Sequence, residues 1–381
     1  MTNIIFRYYQ KGDARQLAKL YNIAFQMNGF GFIRTAKSWL WRFNNTPNFE
    51  PESIRIAEDL KERKIVGAVH VSLIEPLMIN GKKILCGEIN DVACHPKYIK
   101  RGIAKGLMEE AISYMKQKGC DASILSADVK GIARQKIYLR LGYIDMIDVN
   151  IRVNFPNILK LLKDMPILAF FFPILFMFSK FSRVLYHFLF KINKSFKNIS
   201  YLIEFNKGHS KFYEYARKLI SRYHDFYPFY SDSKINWLRK NVPSRRFHPI
   251  YVYIKKDSDI IGGACLNYVN IYNFKYGMKI RFGIVHDLFI DKSVFLNEKE
   301  LFHGYMFLIG KIMKAANKAK IGLLSIPVCS NDKILNISLK TSCFIKYSSL
   351  TLMIKTFNDK IKRLSLKKPA LVPSYVLFAY P

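Results

Sequence analysis

The stretch HPKYIKRGIAKGLM, residues 95–108, decides how this chain is interpreted. It follows an apolar, strand-like run, and it places Gly102 and Ala104 among basic side chains just before a helical pattern. The first turn of a helix leaves backbone N–H groups without partners and carries partial positive charge. Small residues at that point let an anion approach the backbone closely. The stretch therefore predicts a site for a phosphate or pyrophosphate group.

Two common nucleotide-binding patterns are missing from this stretch. It contains neither the GxxxxGK of a P-loop nor the GxGxxG of a dinucleotide-binding fold. ATP and NAD are therefore poor candidates for the ligand. A tight turn with no ligand would use the same Gly-x-Ala arrangement, and the pattern alone leaves that alternative open.

The composition favours a cytoplasmic protein of two domains with an anionic partner. The chain has 381 residues, more than one ordinary core holds, and its formal net charge is +33. Such a charge suggests nucleic acid, a membrane surface or a phosphorylated ligand, although a general lysine bias of the source would also produce it. The 6 cysteines form neither a CxxC pair nor a zinc-binding spacing, which predicts free thiols and no metal site. The first residues lack the pattern of a signal peptide.

The chain contains two copies of one pattern. The first copy begins with an apolar run at Ile4 and the second at Tyr201, and in each a Lys-Gly turn leads into an amphipathic helical pattern. Strand pairs follow, each joined by a turn that contains glycine. The order β-α-α-β-β-β-α-β-α-β therefore occurs twice. It predicts an α+β fold with two tandem domains, residues 1–155 and 201–381, joined by residues 156–200.

The two copies differ at the loop. In the first copy the strand ahead of it ends in EINDVACH, residues 88–95, and the glycine-containing loop follows. In the second copy the matching strand ends in HDLFID, residues 286–291, and no Gly or Ala cluster opens the next helix. The sequence therefore predicts one anion site per chain, in the first copy.

The connector, residues 156–200, is the most apolar part of the chain. Its uncharged run, Met165–Phe178, contains two prolines and is shorter than the roughly 18–20 residues that a bilayer-spanning helix needs. Beyond that run, apolar residues recur at helical spacing among basic ones, namely Phe181, Val184, Leu185, Phe188 and Leu189. This pattern predicts an amphipathic helix that packs between the domains, with contact to an anionic membrane as the second candidate.

The loop and a later stretch resemble the GNAT N-acetyltransferase superfamily. VACHPKYIKRGIAKGLM resembles the acetyl-CoA loop of that family, which reads Gln or Arg, two residues, Gly, one residue, and Gly or Ala. Gly102 and Ala104 match its last two fixed positions, and Ile99 stands where Gln or Arg is usual. IARQKIYLRLGYI, residues 132–144, resembles the family's second signature, with matches at Tyr138, Gly142 and Tyr143.

The resemblance covers residues 1–155, while the second half looks like a degenerate GNAT domain without the cofactor loop. The pairing is similar to that of tandem-GNAT acetyltransferases of the Eis-like type. It implies the fold predicted above, a mixed central sheet flanked by helices in each half.

The same resemblance implies acetyl-CoA as the acyl donor. In this superfamily the strand ahead of the loop separates from its neighbour, and its backbone binds the pantetheine arm. The residues at that place are Val92, Ala93 and Cys94. The loop and the start of the helix would hold the pyrophosphate through backbone N–H groups and basic side chains. The residues concerned are Lys100, Arg101, Gly102, Ile103, Ala104, Lys105 and Gly106.

Acyl transfer to an amine needs a base, because free alkyl amines are mostly protonated at neutral pH. Glu88 and Asp91 lie on the strand ahead of the loop, and Asp91 recurs as Asp287 in the copy without a loop, which suggests a structural role. We therefore predict Glu88 as the base, with a charge at the rim of the strand as the alternative. The resemblance implies that Tyr138 protonates the departing thiolate, with packing against the sheet as its alternative.

These observations lead to a cytoplasmic, acetyl-CoA-dependent N-acetyltransferase whose amine acceptor binds in a cleft between the two domains. The rival is a non-catalytic tandem module that binds nucleic acid or an anionic membrane through its basic surface. Aromatic residues are spaced like core positions rather than like a base-stacking platform, so nucleic acid is the less favoured partner. No motif identifies the acceptor, and the loop does not distinguish acetyl from longer acyl groups.

Overall fold

A computed structural model gives the fold for most of the chain. The residues it describes are 3–26, 31, 33–40, 49–171, 173–174, 176–177, 199–205, 210–228, 232, 249–273, 277–358, 361 and 366–371. The predicted amphipathic helix of the connector, Phe181–Leu189, lies outside these residues. So does the second helix predicted for the second copy.

The described residues form a mixed sheet flanked by helices. Its strands are β1 (Ile4–Tyr8), β2 (Ile54–Asp59), β3 (Lys64–Ile79), β4 (Lys82–Cys94), β5 (Ala122–Asp128), β6 (Ile144–Asn154), β7 (Ile199–Phe205), β8 (Phe226–Pro228), β9 (Ile250–Lys256), β10 (Asp259–Asn273), β11 (Met278–Ile290), β12 (Leu323–Cys329) and β13 (Ile345–Thr356). The helices are α1 (Ala14–Gln26), α2 (Ala36–Trp39), α3 (Ile103–Gln117), α4 (Ile158–Asp164), α5 (Ser210–Tyr223), α6 (Glu298–Lys318) and α7 (Lys333–Thr341). The predicted α+β fold class is confirmed.

The internal repeat is visible in how the strands pair. In the first half β2, β3 and β4 are antiparallel neighbours, and β4 then runs parallel to β5 after the crossover through α3. In the second half β9, β10 and β11 are antiparallel neighbours, and β11 runs parallel to β12 after the crossover through α6. Each half thus has the same mixed sheet, as the repeated sequence pattern predicts.

The two halves exchange their last strands. The strand order is β1-β2-β3-β4-β5-β13-β6-β12-β11-β10-β9-β7, so β13 of the second half lies between β5 and β6 of the first. β6 in turn pairs with β12, with Ile151 opposite Pro327. The order of elements along the chain did not predict this exchange. Through this exchange, each half of the sheet contains a strand that comes from the other half of the sequence.

Helices cover both faces of the first-half sheet. On one face Leu17 and Tyr21 of α1 pack with Ile56 of β2, and all three are fully buried. On the other face Leu107 and Met108 of α3 are equally buried against the same strands. This sandwich fixes the start of α3 beside the end of β4, where the decisive stretch lies.

The described part of the connector packs on the second half. Leu161 of α4 is buried with Val269, Ile271 and Ile280, which lie on β10 and β11. The Asn157 side chain donates to the Asn317 side-chain oxygen at 2.9 Å, which ties the start of α4 to the end of α6. The sequence predicted packing between the two halves, whereas these contacts are with the second. No helix in the described ranges is long and apolar enough to cross a membrane.

The strand exchange predicts that β13 stabilises the first half. Met353 of β13 is fully buried in the core that α3 covers, so Met353→Ala should lower the free energy of unfolding by about 2–5 kcal/mol. Tyr347 lies on the same strand with an exposed side chain. Tyr347→Ala should therefore change the free energy of unfolding by less than about 0.5 kcal/mol. Urea unfolding of both variants measures the difference. Equal, small effects would contradict the shared core.

Candidate active site

A gap opens in the first-half sheet between β4 and β5. The two strands pair in parallel from Cys86 opposite Ala122 to Ile89 opposite Leu125, and no further. β4 nevertheless continues to Cys94 and remains paired with β3 on its other side. In the described part of the chain no strand pairs with the β5-facing edge of β4 beyond Ile89. Backbone groups of Val92–Cys94 on that edge are therefore open to a ligand.

A bulge at Asp91 helps to turn β4 away from β5. Asp91 has φ +50°, and the register with β3 shifts between Ala68 and His70. The Asp91 carboxylate accepts a hydrogen bond from Arg34 at 3.1 Å, and the Arg34 guanidinium lies over the Tyr21 ring. Asp91 thus holds the end of the strand, which is the structural role that its recurrence in the second copy suggested.

The loop after β4 delivers the start of α3 to the mouth of this gap. Gly102 has φ +80°, a left-handed conformation that glycine adopts without strain, and no side chain caps the helix there. The N–H of Gly106 is the first to bond within the helix, to the Gly102 carbonyl at 3.0 Å. The preceding N–H groups, those of Ile103, Ala104 and Lys105, have no helical acceptor. With no acidic residue in the first turn, they form a candidate anion site.

Basic side chains surround this anion site. Lys100 and Lys105 are exposed, and Lys105 lies 3.6 Å from Glu109 one turn along the helix. The Arg101 guanidinium lies 4.7 Å from the centre of the Tyr98 ring. The Tyr98 hydroxyl in turn donates to Asp59 at 2.8 Å, so the ring is fixed beneath the guanidinium. The loop therefore carries positive charge, and the Tyr98 ring and Asp59 help to hold the Arg101 guanidinium in place.

Gly106 has a different role from the one predicted. Its N–H is used by the Gly102 carbonyl, so it is not available to a phosphate. A Cβ at this position would lie 2.8 Å from the Phe6 ring, so glycine lets α3 pack closely on β1 without moving that ring. Gly106 therefore shapes the helix–sheet contact, and the anion site consists of the residues before it.

Cys94 contributes its backbone rather than its thiol. The Cys94 side chain is half-buried, with Sγ 3.8 Å from the His95 carbonyl oxygen. Burial raises the pKa of this thiol, so it stays protonated near neutral pH and is a poor nucleophile. Ala93, next to it, is almost fully buried on the α1 face of the sheet.

Glu88 lies where the gap begins. It pairs with Ile124 of β5, one residue before the last pairing of the two strands. Cys86, two residues earlier on the same face, is buried with Ile124 and with Phe226 of β8. The alternation of a strand therefore places the half-buried Glu88 on the face opposite α3.

Tyr138 lies on the α3 side of the gap. It ends a single π-turn, Arg134–Tyr138, and is buried in one core with Ile89 and Leu125, the last residues at which β4 and β5 pair. Its hydroxyl makes no hydrogen bond with the part of the chain that the structure describes. Burial raises the pKa of Tyr138 to about 12, so the hydroxyl keeps its proton at neutral pH. Tyr143 differs, because its hydroxyl lies 2.7 Å from the Ser123 hydroxyl in a buried pair.

Elements of the second half cover the Glu88 face, which the sequence did not predict. The short strand β8 pairs with β3, with Phe226 opposite Ile79. Ala370 forms an isolated bridge with Phe226 and packs into the same core as Cys86. The sequence does not single out Phe226 or Ala370, because neither a strand of three residues nor a lone alanine produces a recognisable pattern. Together they form a wall beside the gap.

The second half has its own gap, but that gap is blocked. β11 and β12 pair in parallel only from Phe282 to Ile284, and Asp287 has φ +52°, as Asp91 does in the first half. The space beyond is a cavity of about 30 Å³, large enough for only one or two water molecules. The residues around it include His286, Asp287, Tyr305, Asp332 and Leu371. A thioester does not fit there.

The start of α6 also differs from that of α3. The Asn297 side chain accepts from the Glu300 N–H at 3.0 Å, and the Glu300 carboxylate accepts from the Leu296 N–H at 3.0 Å. Glu298 adds a second negative charge in the first turn. These side chains cap the helix and repel an anion. Both the helix start and the small cavity of the second half are therefore consistent with the prediction of one anion site per chain, in the first half.

Comparisons with known proteins agree with this arrangement. Residues 6–144 match the model of an acetyltransferase (GNAT) domain. The first half is a GNAT domain. This assignment supports acyl transfer as the general class of reaction, and the anion site, the gap and Tyr138 all lie within the matched residues. A search of curated proteins finds no significant match.

Solved structures share the whole two-half fold. Saccharomyces cerevisiae N-myristoyltransferase with bound myristoyl-CoA and inhibitors matches with a TM-score of 0.66 and 12% identity over 93% of this chain and 80% of that one. A GCN5-related N-acetyltransferase from Anabaena variabilis matches at 0.57 and 12% identity, covering 93% of this chain and 73% of that one. A GCN5-related N-acetyltransferase from Sphaerobacter thermophilus matches with a TM-score of 0.58 and 8% identity, over 93% of this chain and 96% of that one. At such identities these matches show the tandem GNAT fold alone.

Calorimetric titration with acetyl-CoA tests the anion site. We expect one site per chain, and none in Gly102→Val, because a Cβ at Gly102 would project into the open space from which a phosphate approaches. Gly81→Val is the matched control, since Gly81 has φ +76° and equally open surroundings on the β3–β4 turn. Both variants bear similar backbone strain, and only Gly102→Val should lose binding. Two equivalent sites, or full affinity in Gly102→Val, would contradict the assignment.

Proposed function

We propose that this protein is an N-acetyltransferase that moves an acetyl group from acetyl-CoA directly to an amine. The observation that carries the proposal is the gap between β4 and β5, with the anion site at its mouth and Glu88 and Tyr138 on its two faces. A donor that binds through its pyrophosphate at α3 and its pantetheine arm along β4 would place its thioester in this gap. The amine would approach from the Glu88 face.

Each side chain has a defined part in this reaction. Glu88 takes a proton from the acceptor ammonium, directly or through water, so that the neutral nitrogen attacks the thioester carbonyl. A backbone N–H of Val92–Cys94 donates to the carbonyl oxygen as negative charge develops there. The C–N bond forms as the C–S bond breaks, and Tyr138 gives its proton to the departing thiolate. The acylated nitrogen then returns its surplus proton to the Tyr138 phenolate, and Glu88 releases its proton to water, so a neutral amide and the coenzyme A thiol leave the site. Because burial raises the pKa of Tyr138, the hydroxyl carries its proton before transfer.

The packing beneath the gap supports acetyl over a long acyl chain. Ile89, Leu125 and Tyr143 are each almost fully buried there and form one core with α3. Met115 of α3 fills the space beside Gly87, where a Cβ would lie 2.2 Å from its Sδ atom. A long chain would have to displace these side chains. A donor series from acetyl-CoA to myristoyl-CoA should therefore show the highest kcat/KM for the shortest acyl group.

The acceptor would bind between the two halves. The packing on the Glu88 face is apolar and includes the buried Ile124 of the first half with Phe226 and Ala370 of the second. Such surroundings would suit an amine with an apolar or neutral body, whose ammonium group would meet the carboxylate. Because the cysteines are all free, we place the reaction in the cytoplasm.

The rival proposal is a non-catalytic module that uses its basic surface for binding. Labelled acetyl-CoA, supplied with a library of amines, distinguishes the two. Transfer of label to any amine supports the enzyme. Absence of both acetyl-CoA binding and a rise in melting temperature at millimolar acetyl-CoA would favour the rival, since a ligand that binds only the folded state must stabilise it.

Replacement of the proposed acid tests the mechanism. Tyr138→Phe should lower kcat by about 100-fold and leave the affinity for acetyl-CoA nearly unchanged, because the lost interaction forms only in the transition state. Tyr143→Phe is the matched control, since it removes a buried hydroxyl bonded to Ser123 and should affect stability more than kcat. Steady-state kinetics and calorimetry measure both quantities. A parallel loss of affinity in Tyr138→Phe would indicate packing instead.

A further inference from the structure

The turn that carries Tyr138 has little internal support. It consists of a single π-turn, Arg134–Tyr138, and one further helical turn, Leu139–Leu141, which ends at Gly142 with φ +82°. Short turns of these kinds bond less regularly than an α-helix. In the proposed reaction Tyr138 must deliver a proton to a defined atom, and a displacement of about 1 Å can cost about 100-fold in rate. Contacts from outside the turn therefore matter for the position of the hydroxyl.

Lys355 of β13 supports the end of this turn. Its Nζ donates to the carbonyl oxygen of Leu141, which lies 214 residues away in the sequence. A Cβ added at Gly142 would lie 2.9 Å from the same Nζ, so the ammonium group lies directly against the turn. The last carbonyl groups of a helical turn lack N–H partners within it, and a lysine side chain can bond to them. Lys355 therefore caps the turn from outside.

The sheet fixes the direction of the Lys355 side chain. Lys355 pairs with Ser123 of β5, and the Ser123 hydroxyl lies 2.7 Å from the Tyr143 hydroxyl. Met353, two residues earlier on β13, is buried in the core that contains Tyr138 and Tyr143. Because side chains alternate along a strand, Lys355 lies on the same face of the sheet as that core. It therefore reaches the turn from the face on which Tyr138 is buried.

The backbone of the turn connects the Lys355 contact to Tyr138. The Tyr143 N–H donates to the Tyr138 carbonyl at 3.1 Å, and Leu141 lies within the loop that this hydrogen bond closes. The rings of Tyr138 and Tyr143 also meet edge to face, with their centres 6.2 Å apart. A contact that holds the Leu141 carbonyl therefore also holds the backbone from which the Tyr138 side chain extends.

The two halves share this cap. Strands β6 and β13 occupy equivalent places in the repeat, and alignment of their first residues places Ser342 on Leu141 and Asn154 on Lys355. The Asn154 amide donates to the Ser342 carbonyl at 3.0 Å, as Lys355 does to the Leu141 carbonyl. In each half, a side chain on the strand that comes from the other half therefore caps the turn.

The chemistry of the two turns differs. The same alignment places Leu339, which is fully buried, at the position of Tyr138. The second-half turn therefore carries no acid at this position, and its cap is an amide rather than an ammonium group. The cap has a structural role in both halves, but only in the first half can it act on an acid that takes part in the reaction.

We propose that Lys355 is a positioning residue for Tyr138, so that the second half takes part in acyl transfer through β13. This inference rests on the proposed function, in which Tyr138 protonates the departing thiolate. Lys355 acts on the Leu141 carbonyl rather than on either substrate, and it thereby sets the position of the Tyr138 hydroxyl beside the gap. The contact should therefore affect the rate of transfer and leave the binding of acetyl-CoA unchanged.

Substitution of Lys355 tests this role. Lys355→Met keeps a long unbranched side chain but removes the donor, so it should lower kcat by about 10-fold without changing the affinity for acetyl-CoA in calorimetry. Lys355→Arg keeps a donor and should hold kcat within about threefold of the wild type. Wild-type kcat in Lys355→Met would overturn the proposal. An arginine variant no faster than the methionine variant would overturn it as well.

A double-mutant cycle with Tyr138→Phe separates positioning from general stability. If Lys355 acts through the Tyr138 hydroxyl, Lys355→Met should lower kcat by less than about twofold once that hydroxyl is absent. An equal loss of kcat in both backgrounds would show that Lys355 supports the whole fold or another step, and the proposal would then be wrong.

Two control variants remove comparable groups. Asn154→Ala removes the equivalent cap in the second half, so it should lower the urea midpoint but keep kcat within about twofold of the wild type. Burial, and then the charge of Lys116, lower the pKa of Lys355. Lys116→Met removes that neighbouring charge, whose Nζ lies 5.7 Å from the centre of the Phe357 ring, and it should also leave kcat unchanged. A loss in either control as large as in Lys355→Met would contradict the proposal.

Hydrogen exchange measures the turn without any acceptor. The Tyr143 N–H, which bonds to the Tyr138 carbonyl, should exchange at least about tenfold faster in Lys355→Met, while the Met353 N–H within β13 keeps its protection. Unchanged exchange at Tyr143 would overturn the proposal even if the protein transfers acetyl groups. A wild type that acetylates no amine would overturn the catalytic role together with the proposed function, and faster exchange would then still show that Lys355 holds the turn.

Discussion

The pairing of β13 with β5 is the constraint on which the candidate active site depends. β5 is held along its whole length by a strand from the other half, from Ala122 opposite Thr356 to Asp128 opposite Leu350. β4 is held equally firmly by β3 on its far side, up to Cys94 opposite Gly67. Each strand beside the gap is therefore held along its other edge, while the two facing edges stay unpaired beyond Ile89 and Leu125. The second half thus helps to hold the gap between β4 and β5 open.

The same geometry occurs in both halves, and electrostatics makes them differ. Strand β12 is held by β6 on one side. On its other side β11 separates from β12 beyond Ile284, just as β4 separates from β5. The two halves differ at the start of the following helix. Helix α3 begins after a glycine and leaves its first N–H groups uncapped, whereas α6 is capped by Asn297 and carries two glutamates in its first turn. In the first half the gap lies beside a helix start that can attract an anion. In the second half the helix start repels an anion, and only a small cavity remains beyond the paired residues.

Local patterns in the sequence predicted a large part of this structure. The loop with Gly102 and the start of α3 follow from residues close together in the chain, and the repeat and the structural role of Asp91 follow from a comparison of its two copies. The strand exchange does not, because the apolar pattern of β6 or β13 fits either half equally well. The Phe6 contact of Gly106 and the wall at Phe226 and Ala370 involve partners distant in sequence. Such contacts leave no periodic pattern in the sequence.

The strand exchange also explains where the connector goes. Because β6 lies in the second-half part of the sheet, the chain leaves it already beside second-half elements, and the Asn154 amide donates to the Ser342 carbonyl at 3.0 Å. The residues that follow therefore meet β10 and β11 first, and Leu161 packs there. A strand that stayed in its own half would have left the connector between the halves, as the sequence suggested.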